Sequence, residues 1–108
     1  MSVNHTQTIR VRCQDPDRLV QHLVEWDCQQ ADADVMGYIG THLLAARDRE
    51  GEFLIVAEFA SVDPAVPAAE EAARNNDRPE TQAWAAQLLE MIDGEPVYED
   101  YDELYRTG

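Results

Sequence analysis

Three histidines, His5, His22 and His42, are the side chains of this chain able to exchange a proton near neutral pH. His42 is the only one that the strand pattern places in the central sheet. It reads either as a base or hydrogen-bond donor toward a bound ligand, or as a buried or interface histidine held by one hydrogen bond. Tyr38 and Phe59 are expected on the face of His42, where they would line an aromatic pocket or fill a core. Trp84 lies on the apolar stripe of the last helix, where it packs in the core or stacks on a planar substrate. His22 reads as a surface residue of the first helix. Asn75 and Asn76 suit a helix end or turn, with a polar place in a pocket mouth as the lesser reading, and Glu70 and Glu71 suit a solvated helix face. No Gly-rich phosphate loop, metal-ligand cluster or nucleophile elbow is present. The site set is therefore His42 as the catalytic candidate and Tyr38, Phe59 and Trp84 as substrate-binding candidates, with no metal ligands and no cofactor.

Cys13 and Cys28 fit no metal spacing. A helix running between them would hold them roughly 15 Å or more apart at about 1.5 Å per residue, whereas a disulfide needs Cα atoms within about 7 Å. Free buried thiols in a cytoplasmic protein are expected.

The chain has 108 residues, enough for one domain, expected over 1–108 with a core of about 6–104. Its 22 acidic side chains outnumber 8 basic ones, all of them arginine, and the formal net charge is -14. So negative a surface repels nucleic-acid backbones and anionic membranes, and favours solubility. No apolar run is long enough to span a bilayer, and the opening "MSVNHTQTIR" lacks the basic and apolar regions of a signal peptide.

The candidates must be held by elements, and the pattern supplies seven. "HTQTIRVRC" alternates, with Ile9, Val11 and Cys13 on one side and Thr8, Arg10 and Arg12 on the other, a half-buried strand. The two arginines are costly on a central strand unless paired, and Glu58 or the carboxylates of the last strand are the expected partners. "DPDRLVQHLVEW" opens on Asp15 and Pro16, a capped helix start, and Leu19, Leu23 and Trp26 recur at helical spacing. "QQADADV" reads as a connector. "MGYIGTHLLAAR" and "EFLIVAEFA" flank "DREG", a β-hairpin. Pairing Arg47 with Glu52 across that turn puts Tyr38, His42 and Leu44 on one face with Phe53, Ile55 and Phe59. It puts Ile39, Thr41 and Leu43 on the other with Leu54, Val56 and Glu58. A short alanine-rich helix is expected from about Pro64. A second follows Asp77, with Glu80 completing a capping box, a stripe of Trp84, Leu88 and Ile92, and Gly94 as its stop.

"VYEDYDELY" closes the pattern. Its valine and tyrosines favour a strand over a disordered acidic tail. Alternation puts Val97, Tyr101 and Tyr105 on one face and Tyr98 and Leu104 on the other. The order strand, helix, strand, strand, helix, strand with right-handed crossovers gives a ferredoxin-like α+β fold: βαββαβ, an antiparallel four-stranded sheet with helices on one face. The second, apolar face needs a cover, and another subunit is the simplest one.

"GTHLLAARDREGEFLIVAEFAS" resembles the central hairpin of the antibiotic biosynthesis monooxygenase domains, and "RPETQAWAAQLLEMIDGEPVYEDYDEL" resembles their last helix and strand. The resemblance runs roughly from Thr6 to Leu104. It rests on order, spacing and hydrophobic pattern rather than on an invariant catalytic signature. It implies homodimers whose two sheets form one α/β barrel, with the C-terminal segment packed on the partner through Leu104 and Tyr105. It also implies one of three fates: oxidation of polycyclic phenols by O₂ without metal or flavin, haem degradation, or no established activity. The haem-degrading branch carries a ligand histidine near the second helix. "ARNNDRPETQAW" has none, which disfavours haem. The reading is a cofactor-independent monooxygenase acting on a small aromatic or quinone-like compound. The alternative is a non-catalytic, dimeric small-ligand-binding module of the same fold. Convergence of His42, Tyr38 and Trp84 on one open cavity would favour the first.

Overall fold

The computed structural model describes residues 4–32, 37–60 and 65–107. Seven elements follow in order: β1 (His5–Arg12), α1 (Pro16–Asp32), β2 (Tyr38–Ala45), β3 (Glu52–Phe59), α2 (Ala68–Asn76), α3 (Pro79–Leu89) and β4 (Asp93–Asp102). The strands form one sheet in the order β2-β3-β1-β4, with every neighbouring pair antiparallel. The helices cover one face of it, so the fold is the expected ferredoxin-like arrangement, with two short helices in its second half as the sequence pattern expects.

Alternation along β1 decides the core. Ile9, Val11 and Cys13 are buried beneath the helices beside Ile55 of β3. Leu19 and Trp26 of α1 and Trp84 and Leu88 of α3 close over them at helical spacing. Each fully buried aliphatic side chain in this cluster contributes about 1.5–3 kcal/mol of transfer free energy. Cys13 is buried, while Cys28 is exposed; both are free thiols.

Local signals were followed unevenly. Helix α1 starts at Pro16 as expected but runs on to Asp32, because the Gln29–Asp32 stretch that reads as a connector contains no residue that stops a helix. The Asp63–Pro64 start expected for the second helix lies outside the described residues; α2 is described from Ala68. Asp77 caps the C-terminus of α2 instead of opening α3, whose N-cap is Arg78 with no side-chain capping bond. Glu80 accordingly pairs with Arg78 at 3.5 Å rather than with a capping backbone. Helix α3 ends at Leu89, and Gly94, at φ 75°, lies inside β4. There the pairing with β1 shifts between Arg10 and Arg12, and a positive φ at glycine is what a bulge of this kind requires.

The β2–β3 register differs by one residue from the sequence expectation. The ladder pairs Ala45 with Phe53, Leu44 with Leu54, Leu43 with Ile55 and His42 with Val56. The Ala46 N–H still reaches the Glu52 carbonyl at 3.0 Å, so the loop is the five residues from Arg47 to Gly51. A one-residue slip exchanges the faces: Thr41 and Leu43 join Phe53 and Ile55 under the helices, and His42 and Leu44 turn to the open side with Leu54 and Val56. A second irregularity, between Tyr38 and Gly40, returns Tyr38 to the face of Phe59, and the two rings meet edge to face at 5.8 Å.

Strand β4 answers the question of the acidic C-terminal stretch. It is paired to β1 as far as Asp102 opposite His5, and a further backbone bond joins the Glu103 N–H to Asn4 at 2.8 Å. Beyond it Leu104 and Tyr105 stand out of the fold at 91% and 81% exposure. Arg10 of β1 faces Glu99 of β4 at 3.9 Å, and Glu58 takes Arg106 at 3.0 Å.

Candidate active site between sheet and helices

A cavity of about 320 Å³ separates the sheet from α1 and α3, within the range of small-molecule sites. Ile9, Ile55 and Ala57 form its sheet side, and Leu23, Trp26, Trp84 and Ala85 its helix side. Gln7, Thr41, Asn76, Thr81, Gln82 and Tyr98 bring polar atoms to the same space. The wall is therefore apolar and aromatic, with hydrogen-bonding groups but no carboxylate, imidazole, amine or guanidinium among the described lining residues. Tyr98 is the titratable lining group, and its burial raises its pKa above that of an ordinary phenol, so it stands there neutral.

The Trp84 wall is built by two helices together. His22, exposed by only 2%, stacks on the Trp84 ring at 4.6 Å with planes 4° apart. This corrects the surface placement expected for His22. Trp26 meets the Trp84 ring at 5.1 Å with the planes tilted by 48°. The Trp26 indole N–H donates to Thr41 Oγ1 at 3.2 Å, and the Tyr38 hydroxyl lies 2.6 Å from that same oxygen. Tyr38 also donates to Asp27 Oδ1 at 3.2 Å at the protein surface. Burial raises the Tyr38 pKa above its ordinary value, Thr41 pulls it down and the Asp27 charge pushes it up, with a net rise.

Of the four residues singled out by type and spacing, Trp84 lines the cavity. Tyr38 stands one hydrogen bond behind its wall, at Thr41. Phe59 is fully buried in a neighbouring cluster with Ala57 and Ala72, where it supports Tyr38. His42 is exposed, opposite Val56, and lines a shallow groove at the β2 edge with Val24 and Cys28. His42, Tyr38 and Trp84 therefore do not converge. Thr41, Trp26, Tyr98 and Gln82 were not marked as site residues in the sequence, where Trp26 reads as part of the first helix's apolar stripe and the others carry no sign of a cavity. Asn76 does face the cavity.

His5 was named in the sequence but given no role. It is 5% exposed on a central strand, with Nε2 3.0 Å from Asp100 and Nδ1 3.1 Å from Asp102. Desolvation works to lower its pKa, but the hydrogen bonds and charges of the two carboxylates outweigh it, and the net shift is upward. The alternation of "HTQTIRVRC" could have placed His5 on the Ile9 face; the two aspartates opposite required the β1–β4 register. Among the described residues no group of His, Cys, Asp and Glu is arranged to hold a metal ion, and no helix is long and apolar enough to cross a membrane.

This cavity under a ferredoxin-like sheet defines a class by fold: the chain folds as the antibiotic biosynthesis monooxygenases do. No family model matches the sequence, and no curated protein matches it, so the likeness is carried by three-dimensional structure. A variant of SnoaB, a cofactor-independent oxygenase from Streptomyces nogalater, superposes with a TM-score of 0.72 at 14% identity, over 95% of each chain. A Nitrosomonas europaea protein provisionally named an antibiotic biosynthesis monooxygenase gives 0.69 at 13% identity, over 100% of this chain and 97% of that one. A Mycobacterium tuberculosis protein gives 0.67 at 15% identity, over 97% and 99%.

Proposed function

We propose that this chain is a cofactor-independent oxygenase that binds a small planar phenol or hydroquinone in the cavity beneath Trp26 and Trp84. The observation that carries the reading is the cavity itself, aromatic-walled and edged with neutral hydrogen-bonding groups, in the layer between sheet and helices. A phenol that has lost its proton is electron-rich enough to pass an electron to O₂. The two radicals join at a ring carbon, and the peroxide loses water. One oxygen atom ends as a quinone carbonyl and the other as water, with all electrons supplied by the substrate. Such a reaction asks the protein to exclude water, hold the ring and support the anion. Trp26 and Trp84 offer faces for stacking, and Gln7, Asn76 and Gln82 offer hydrogen bonds. The fold shared with SnoaB supports the same reading.

A second reading is a binding module without turnover. The absence of any charged side chain from the described cavity lining favours it, since no ordinary base touches the ligand. His42 has no part in either reading, because it lies on the other face of the sheet.

We also infer that a second copy covers the open face, on which Leu44, Val97 and Tyr101 lie exposed. Oxygen uptake with a panel of phenols and hydroquinones separates the readings, with ¹⁸O₂ label expected in the quinone. Ala85→Phe, which fills the cavity, is expected to abolish both ligand binding and uptake. His42→Ala is expected to leave both unchanged. Tight binding of phenols with no uptake from any of them would favour the module.

A further inference from the structure

The described lining of the cavity holds no charged base, yet one of its hydroxyls leads out to a carboxylate. The direction of that path follows from counting protons. Tyr38 has one hydroxyl proton, which it donates to Asp27 Oδ1 at 3.2 Å. An ionised carboxylate only accepts. The 2.6 Å contact between Tyr38 and Thr41 must then use the Thr41 proton. A threonine oxygen accepts twice. Trp26 takes one of these positions on Thr41, and the second is left for whatever occupies the cavity that Thr41 lines.

Resting on the oxygenase reading above, we propose that Thr41, Tyr38 and Asp27 form a proton exit that carries the hydroxyl proton of a cavity-bound phenol to solvent. The phenol O–H bond breaks and its proton goes to Thr41 Oγ1. The Thr41 proton passes to the Tyr38 oxygen, and the Tyr38 proton passes to Asp27 Oδ1. No electron moves. Both relay hydroxyls end neutral, a phenolate remains under Trp84, and Asp27, exposed on α1, releases the proton to water. Rotation of the two hydroxyls restores the chain.

The backbone is shaped for this path. Residues three apart on a regular strand face opposite sides of a sheet, so Tyr38 and Thr41 would not meet. The irregularity between Tyr38 and Gly40 puts both on the helix face, and bulges near active sites commonly re-aim a side chain in this way. The upward shift of the Tyr38 pKa keeps it a neutral hydroxyl that passes a proton on instead of holding a charge.

The photoacid 2-naphthol tests the exit without depending on oxygen chemistry. On excitation a bound naphthol sheds its proton only where an acceptor is connected to it, and its emission then shifts to that of naphtholate. At saturating protein, the wild-type complex is expected to emit as naphtholate. Thr41→Val, Tyr38→Phe and Asp27→Asn should each lower the naphtholate-to-naphthol ratio by at least about tenfold, short of the ~10²–10⁴ that a general base contributes to a rate, with Kd little changed. Thr41→Ser, which keeps the hydroxyl, should retain the wild-type ratio and serves as the control for folding. Naphtholate emission unchanged in the three variants, or neutral emission from the bound wild type, overturns the exit and leaves the cavity reading standing. Failure of the wild type to bind naphthol overturns both.

Discussion

His22 and Trp84 hold each other by two reciprocal hydrogen bonds across a stacked pair of rings. His22 Nε2–H donates to the Trp84 carbonyl at 2.9 Å, and the Trp84 indole N–H donates to the His22 carbonyl at 3.0 Å. The pair joins α1 to α3 and fixes the ring that walls the cavity. It also fixes the His22 tautomer, since Nε2 must carry a proton to meet a carbonyl.

Trp84→Phe removes one of these bonds and part of a buried ring. It is expected to cost about 1–3 kcal/mol. Urea unfolding should show a lower midpoint at an unchanged slope. Combined with His22→Phe, the loss should depart from additivity by more than about 0.5 kcal/mol, as for residues in direct contact.

The His5 clamp predicts a pH-dependent stability. A neutral imidazole donates one hydrogen bond and an imidazolium two, so holding both Asp100 and Asp102 favours the charged form. The folded pKa lies above the unfolded value of about 6.5. Its contribution is thus complete below that value and is lost as pH rises through the folded pKa. The gap in Tm between wild type and His5→Gln should be widest on the acid side of neutrality and close toward alkaline pH. A gap that does not change with pH rules the clamp out.

Gly37, at φ 85°, carries a backbone conformation that a side chain adopts only under strain. A Cβ placed there would meet the Ala60 carbonyl oxygen at 2.6 Å. Gly37→Ala should destabilise the fold by at least about 1–3 kcal/mol, visible in thermal unfolding. Gly40→Ala, where an added Cβ meets nothing within 4 Å, serves as the comparison and should cost less.

Leu104 and Tyr105 project beyond the end of β4, at 91% and 81% exposure. If they anchor a second copy, Leu104→Ser with Tyr105→Ser should weaken self-association in sedimentation while leaving monomer unfolding nearly unchanged. Equal association of variant and wild type would leave the segment without that role.

The sequence by itself determined the order of elements, the burial of Ile9, Val11 and Trp84, and the reading of "VYEDYDELY" as a strand. Each of these rests on local periodicity and on turn residues, which neighbours along the chain decide. What faces what was settled only by tertiary structure. Both sides of the β2–β3 hairpin are apolar, so hydrophobic patterning fits either register equally well. A five-residue loop was chosen over the four-residue turn of "DREG", and that single residue moved His42 to the open face and brought Thr41 to the cavity. The bulge at Ile39 then returned Tyr38 to the side of Thr41. The pairs His22–Trp84 and His5–Asp100 join residues 62 and 95 positions apart, and no pattern within one helix or one strand can encode such a distance.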